Sequence, residues 1–132
     1  GSEMCIRDSV LGTGGAAKAV TQGLINLEVE PTYVSRTKRD GMLTYDELTN
    51  EVIDSHKVIV NTTPLGMYPH TDACPDIPYH LLTSEHLCYD LLYNPDVTLF
   101  MKKSKENGAE VKNGLEMLLL QAFAAWNIWN AK

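Results

Sequence analysis

The sequence predicts an α/β fold, a doubly wound, mainly parallel sheet with helices on both faces. A glycine-rich turn, Gly12-Thr13-Gly14-Gly15-Ala16-Ala17, stands between the apolar pair Val10-Leu11 and an apolar stripe at Ala17, Val20, Leu24 and Leu27. Strand, turn and helix in that order open a Rossmann-like unit. A further run, Val58-Ile59-Val60, has the continuous apolar character of a strand buried on both faces, and Leu87 to Leu92 also reads as a strand. Helical segments alternate with these runs, as parallel crossovers require.

Along the chain, residues 1–9 are a poor match to a buried first strand. Gly1-Ser2 reads as the scar of a removed tag, and Arg7 and Asp8 need a solvent-facing or paired setting. A non-native or irregular lead-in is expected over 1–9, with strand pairing by Met4 to Leu11 as the alternative, and one domain over 10–132. In the glycine turn, Gly12 allows the tight bend, Gly14 lets a pyrophosphate approach the backbone, and Ala17 lets the helix pack closely on its strand. The N–H groups of that helix then face the phosphates. Without its surroundings the motif is an ordinary strand-to-helix turn; the flanking strand and helix make it a dinucleotide site.

Thr32-Tyr33-Val34 reads as the second strand and delivers Ser35-Arg36-Thr37 to the same edge of the sheet. An acidic residue there would accept ribose hydroxyls and mark NAD. Arg36 instead offers a charged fork to a 2′-phosphate, with Ser35 and Thr37 as further donors, which favours NADP. The alternative for Arg36, Lys38 and Arg39 is a solvated basic loop. Thr44 and Glu47 fit a capping box on a short helix through Leu48.

The strand at Val58-Ile59-Val60 ends in Asn61-Thr62-Thr63-Pro64-Leu65-Gly66-Met67, a sharp turn with polar groups where open α/β sheets bind ligands. His70 to Ser84 reads as an irregular excursion. After the strand at Leu87 to Leu92 comes Tyr93-Asn94-Pro95, then a helix from Thr98 to Asn107 that Gly108 ends. Val111 supplies a short last strand, and Gly114 opens a long helix to about Asn130. On that helix Gln121 falls on the apolar face with Met117, Leu118, Ala125 and Ile128, as a satisfied core amide or as a group aimed into a cleft.

Composition bounds the rest. A chain of 132 residues, 44% hydrophobic and 21% charged, fits one domain with one core. A net charge of −6 with a single short basic cluster argues against a nucleic-acid surface, and no apolar stretch is long enough for a membrane span. Cys5, Cys74 and Cys88 lack metal or redox spacing, which suggests reduced thiols in the cytoplasm. His56, His70, His80 and His86 lack zinc-site spacing and read as surface residues.

Taken in order, Gly12 to Ala17, Ser35-Arg36-Thr37, Asn61 to Met67, Asp90 to Pro95 with Thr98, and Asn113 to Leu118 with Gln121 resemble the C-terminal domain of the shikimate dehydrogenase family. The resemblance covers residues 10 to 130. It implies an NADP-dependent oxidoreductase of aromatic amino acid biosynthesis that interconverts 3-dehydroshikimate and shikimate. By the same resemblance Gly12, Thr13, Gly14, Gly15 and Ala16 hold the pyrophosphate, while Ser35, Arg36 and Thr37 hold the 2′-phosphate. Leu91 and Gly114 meet the nicotinamide half, and Tyr93 and Gln121 meet substrate. Ser35 replaces the asparagine usual in the family, and a hydroxyl can still donate.

The family's N-terminal substrate domain, which supplies a catalytic lysine and aspartate, has no counterpart in this sequence. No catalytic residue is assigned here, and the chain alone is expected to bind cofactor without turnover. A split enzyme, a non-catalytic NADP-binding module and a quinate-acting relative are the alternatives. Without that domain Met117, Leu118, Trp126 and Trp129 are expected to be left uncovered, and self-association, for instance as a dimer through the last helix or through the edge at the first strand, is expected with them.

Overall fold

A computed structural model describes residues 6–12, 14–26, 29–38, 41–67, 69–92, 97–114 and 121. Strand β1 (Ile6–Leu11) leads through the glycine turn into α1 (Gly15–Asn26), followed by β2 (Val29–Ser35) and a two-residue β3 (Leu43–Thr44). Helix α2 (Asn50–Ser55) precedes β4 (Val58–Asn61), and β5 (Leu87–Asp90), α3 (Leu99–Glu106) and β6 (Glu110–Asn113) complete the described elements. The strands form one six-stranded parallel sheet in the order β3-β2-β1-β4-β5-β6. The chain therefore builds outward one way from β1 and then the other way from β4. That reversal puts a crevice above the carboxyl ends of β1 and β4, the place where such sheets bind ligands.

Side-chain alternation along the strands divides the core into two layers. Val10, Val58, Val60, Leu87 and Tyr89 pack under α1, which contributes Ala17, Val20 and Leu24, all three fully buried. Leu11, Val34, Ile59 and Cys88 face the other way, against Ile53 of α2 and Phe100 and Met101 of α3. Helices thus cover both faces, as expected from sequence. Apolar burial in both layers is the main force holding the sheet.

Several expectations are corrected. For residues 6–9 the strand alternative holds over the irregular lead-in: they belong to β1, which pairs with β2 from Ile6 and with β4 from Asp8. The capping box at Thr44 closes only a 3-10 turn, Tyr45–Glu47, with the Thr44 N–H donating to Glu47 Oε1 at 2.9 Å. Helix α2 is a separate element whose N-cap, Thr49, accepts from the Val52 N–H.

His56 and His86 are buried, not at the surface. His86 Nδ1 accepts from the Thr83 N–H at 3.0 Å, and its Nε2 lies 2.8 Å from the Ile53 carbonyl, tying the start of β5 to α2. His56 ends α2 with Nδ1 2.8 Å from the Val52 carbonyl and Nε2 3.1 Å from Thr32 Oγ1. The expected stripe position Leu27 and nearly all of the expected last helix lie outside the described residues.

Candidate functional site

At the carboxyl edge the strands end in register. Leu11 pairs with Val34 on one side and Asn61 on the other, Asn61 pairs with Asp90, and Asp90 with Asn113. The next residue on each strand extends the ladder by one bond. Gly12 N–H donates to Val34 O at 3.0 Å, Thr62 N–H to Leu11 O at 3.0 Å, Leu91 N–H to Asn61 O at 3.2 Å and Gly114 N–H to Asp90 O at 3.1 Å. Ser35, Gly12, Thr62, Leu91 and Gly114 consequently form one row along the sheet edge. At about 4.8 Å per strand the row spans roughly 19 Å, the scale of an extended dinucleotide. Four of these five residues are cofactor candidates from sequence, and Thr62 belongs to the polar turn that the sequence places at this edge.

Gly12 has φ +107°, and a Cβ there would lie 2.7 Å from Thr62 Oγ1. Only glycine fits, because both the backbone angle and the neighbouring turn exclude a side chain. Thr62 is held in that position by its hydroxyl, which donates to the Leu11 carbonyl at 2.5 Å. Gly14 and Gly15 differ: a Cβ on either would have no atom within 4 Å. They and Ala16 are exposed at the start of α1, where no acidic side chain occupies the first turn. The open N-terminal N–H groups and their positive dipole end suit a phosphate.

To one side of Gly12, Ser35 is buried and its Oγ accepts from the Thr37 N–H at 3.2 Å, folding the loop after β2. Arg36 and Thr37 are exposed, and Arg36 has no ion-pair partner among the described residues. Burial raises the phenol pKa of nearby Tyr45, while the Arg36 guanidinium draws it back down. Lys38 is already engaged, 2.9 Å from Glu47 Oε1 and 3.1 Å from the Met42 carbonyl. Arg36 is thus the free cation of the described loop, with a geometry suited to a phosphate monoester.

To the other side lies a buried polar cluster. Asn61 Nδ2 donates to Asp90 Oδ2 at 3.1 Å, Thr98 Oγ1 donates to the same oxygen at 2.7 Å, and the Leu92 N–H donates to Asp90 Oδ1 at 2.9 Å. Asn61 Oδ1 in turn accepts from the Thr63 N–H at 3.0 Å and Thr63 Oγ1 at 2.6 Å. Thr98 also caps α3 by accepting from the Met101 N–H. Sequence reading placed Asn61 and Asp90 within motifs without assigning them this work. Their signal was a polar residue ending each of two apolar strands.

Leu91 is half-buried against the α1 layer, and Gly114 is buried. Gln121 is exposed, so it is not a buried core amide. Thr13 and Tyr93 lie outside the described residues. No cluster of metal-ligating side chains occurs among the described residues, and no described helix is long and apolar enough to cross a membrane. Cys74 and Cys88 are free thiols; burial pushes the Cys88 thiol up to about 12, which makes it a poor nucleophile.

No protein-family profile matches the chain. Curated proteins do. It is 37% identical over 144 residues to a shikimate dehydrogenase (NADP(+)) of Crocosphaera subtropica, covering 94% of this chain and 50% of that protein. A shikimate dehydrogenase (NADP(+)) of Carboxydothermus hydrogenoformans is 38% identical over 134 residues, covering 91% and 48%. A crystal structure of a shikimate dehydrogenase in complex with NADP+ superposes with a TM-score of 0.72 at 28% identity, over 97% of this chain and 50% of the other. The chain spans about half the length of the curated relatives it matches.

Proposed function

We propose, since the chain is similar to shikimate dehydrogenases over about half of their length, that it is the NADP-binding half of such an enzyme. The whole enzyme interconverts 3-dehydroshikimate and shikimate. The observation that supports this reading is the row Ser35, Gly12, Thr62, Leu91 and Gly114 along the open edge of the sheet. Gly12, Thr13, Gly14, Gly15 and Ala16 take the pyrophosphate, with the exposed start of α1 facing its charge. Ser35, Arg36 and Thr37 take the 2′-phosphate, and Leu91 and Gly114 line the nicotinamide half.

When bound, the cofactor supplies or accepts the hydride. This chain's share is to hold it extended, with its reactive end on the β5 and β6 side of the crevice. Tyr93 and the exposed Gln121 are the substrate contacts of this reading. Hydride transfer also needs an acid/base within hydrogen-bond reach of the substrate oxygen, and that group comes from the other half of the enzyme. By itself this 132-residue segment binds cofactor, turns over little and self-associates. Free Cys74 and Cys88 fit a reducing, cytoplasmic setting.

The test is to mix this segment with the substrate half of a relative and follow shikimate-dependent reduction of NADP+. Activity only in the mixture supports the reading, and supports a split enzyme if the two halves occur as separate chains. Tight NADP binding with no activity in any mixture favours a non-catalytic NADP-binding module instead.

A further inference from the structure

Asp90 is fully buried at the end of β5, and the site described so far gives it no contact with a ligand. Its position is unusual in how many parts of the edge it joins. Its carboxylate accepts from Asn61 at the end of β4, from Leu92 in the segment after β5 and from Thr98 at the cap of α3. Its backbone carbonyl accepts from Gly114 after β6. Through Asn61 it also fixes Thr63, whose N–H and hydroxyl both donate to the Asn61 amide oxygen. Every one of these segments lies on the same side of Gly12.

The placement of a dinucleotide gives that side its meaning. With the pyrophosphate at Gly12 to Ala16 and the 2′-phosphate at Arg36, the adenosine half occupies the β2 side of the crevice. The remaining half must extend the other way, over Thr62, Leu91 and Gly114. Resting on the NADP-binding reading above, we propose that Asp90 is a positioning residue for the nicotinamide half of the cofactor. Its carboxylate holds the turn after β4, the segment after β5 and the cap of α3 in the one arrangement that receives that half. The adenosine half, read by Ser35 and Arg36 across the crevice, does not depend on it.

Asp90→Asn keeps the shape but turns one acceptor oxygen into a donor, so the Asn61 amide faces a second amide N–H and the contact is lost. The exchange Asn61→Asp with Asp90→Asn restores it, since the amide is then on β5 and donates both to the carboxylate now on β4 and to the Thr98 hydroxyl. Thr98→Val removes one donor to the carboxylate together with the side-chain cap of α3, leaves the Asn61 and Leu92 bonds in place, and serves if Asp90→Asn does not fold.

The experiment titrates wild type and these variants with two probes: NADPH, and 2′-phospho-ADP-ribose, which lacks the nicotinamide. Asp90→Asn is expected to weaken NADPH about tenfold, the worth of one charge-assisted hydrogen bond, while leaving 2′-phospho-ADP-ribose unchanged. Thr98→Val gives the same pattern in smaller measure, and the double exchange recovers the wild-type ratio. Equal weakening of both probes means a merely structural role and overturns the proposal, as does no change in either. Failure of the wild type to bind 2′-phospho-ADP-ribose overturns the NADP reading itself, and is seen separately from any effect of the variants.

Discussion

Asn61 and Asp90 face each other in register on β4 and β5, and the amide of one donates to the carboxylate of the other at 3.1 Å with both residues fully buried. The pair sits at the last paired position of β4 and β5, where both strands leave the sheet on one side of Gly12. A polar contact at that point fixes where the two turns begin, and so how the edge presents itself to a ligand.

The same carboxyl sets a pH dependence. Burial raises the Asp90 pKa, and the hydrogen bonds from Thr98, Leu92 and Asn61 oppose the rise without cancelling it. A carboxyl with a raised folded pKa favours the folded state most below its unfolded value, about 4, and loses that contribution as pH rises through the folded value. The stability of wild type relative to Asp90→Asn should therefore fall as pH is raised from about 4 toward neutrality. Urea denaturation of both proteins at stepped pH checks this, and a relative stability that grows with pH contradicts it.

Gly12→Ala and Gly14→Ala should behave in opposite ways. At Gly12 the new methyl meets Thr62 Oγ1 at 2.7 Å in a backbone with φ +107°, so a loss of about 1–3 kcal/mol and a lower Tm are expected. At Gly14 the methyl enters open space, so the fold should be unaffected. A bound pyrophosphate needs that space, and NADPH affinity should drop about tenfold or more. Thermal melts paired with NADPH titrations separate the two. A Gly14→Ala protein that binds NADPH as wild type does removes the pyrophosphate from this turn.

Local features of the chain made the edge legible. Gly12 answers to its own backbone angle and to the strand and helix beside it, and Arg36 to its distance from the glycines, so both could be read without knowing the sheet. The Asn61–Asp90 pair could not, because its members are brought together by the register of two strands with an excursion between them. His86 gave no signal for a similar reason: its partner Ile53 lies 33 residues away on α2, and burial follows from where α2 packs. Helix α2 is short, and the stronger capping signal just before it closes only a 3-10 turn. In β1, the polar residues of 6–9 argued against a central strand, yet pairing on both sides overrides that local preference.

One cost of that strand remains visible. Ser9 is 1% exposed, and its hydroxyl has no hydrogen-bond partner among the described residues. An unpaired buried hydroxyl costs about 1–3 kcal/mol, so Ser9→Ala should raise stability by about 1 kcal/mol, a few degrees in Tm. Differential scanning calorimetry reads this directly; a lower Tm would mean that the hydroxyl has found a partner.

Whether this edge is an NADP site is decided by calorimetric titration of wild type and Arg36→Ala with NADPH and with NADH. Wild type should bind NADPH at least about tenfold more tightly than NADH. Arg36→Ala should weaken NADPH by about 10- to 100-fold, leave NADH unchanged and so abolish the preference. Equal affinity of wild type for the two cofactors, or the same loss for both in Arg36→Ala, would contradict the assignment.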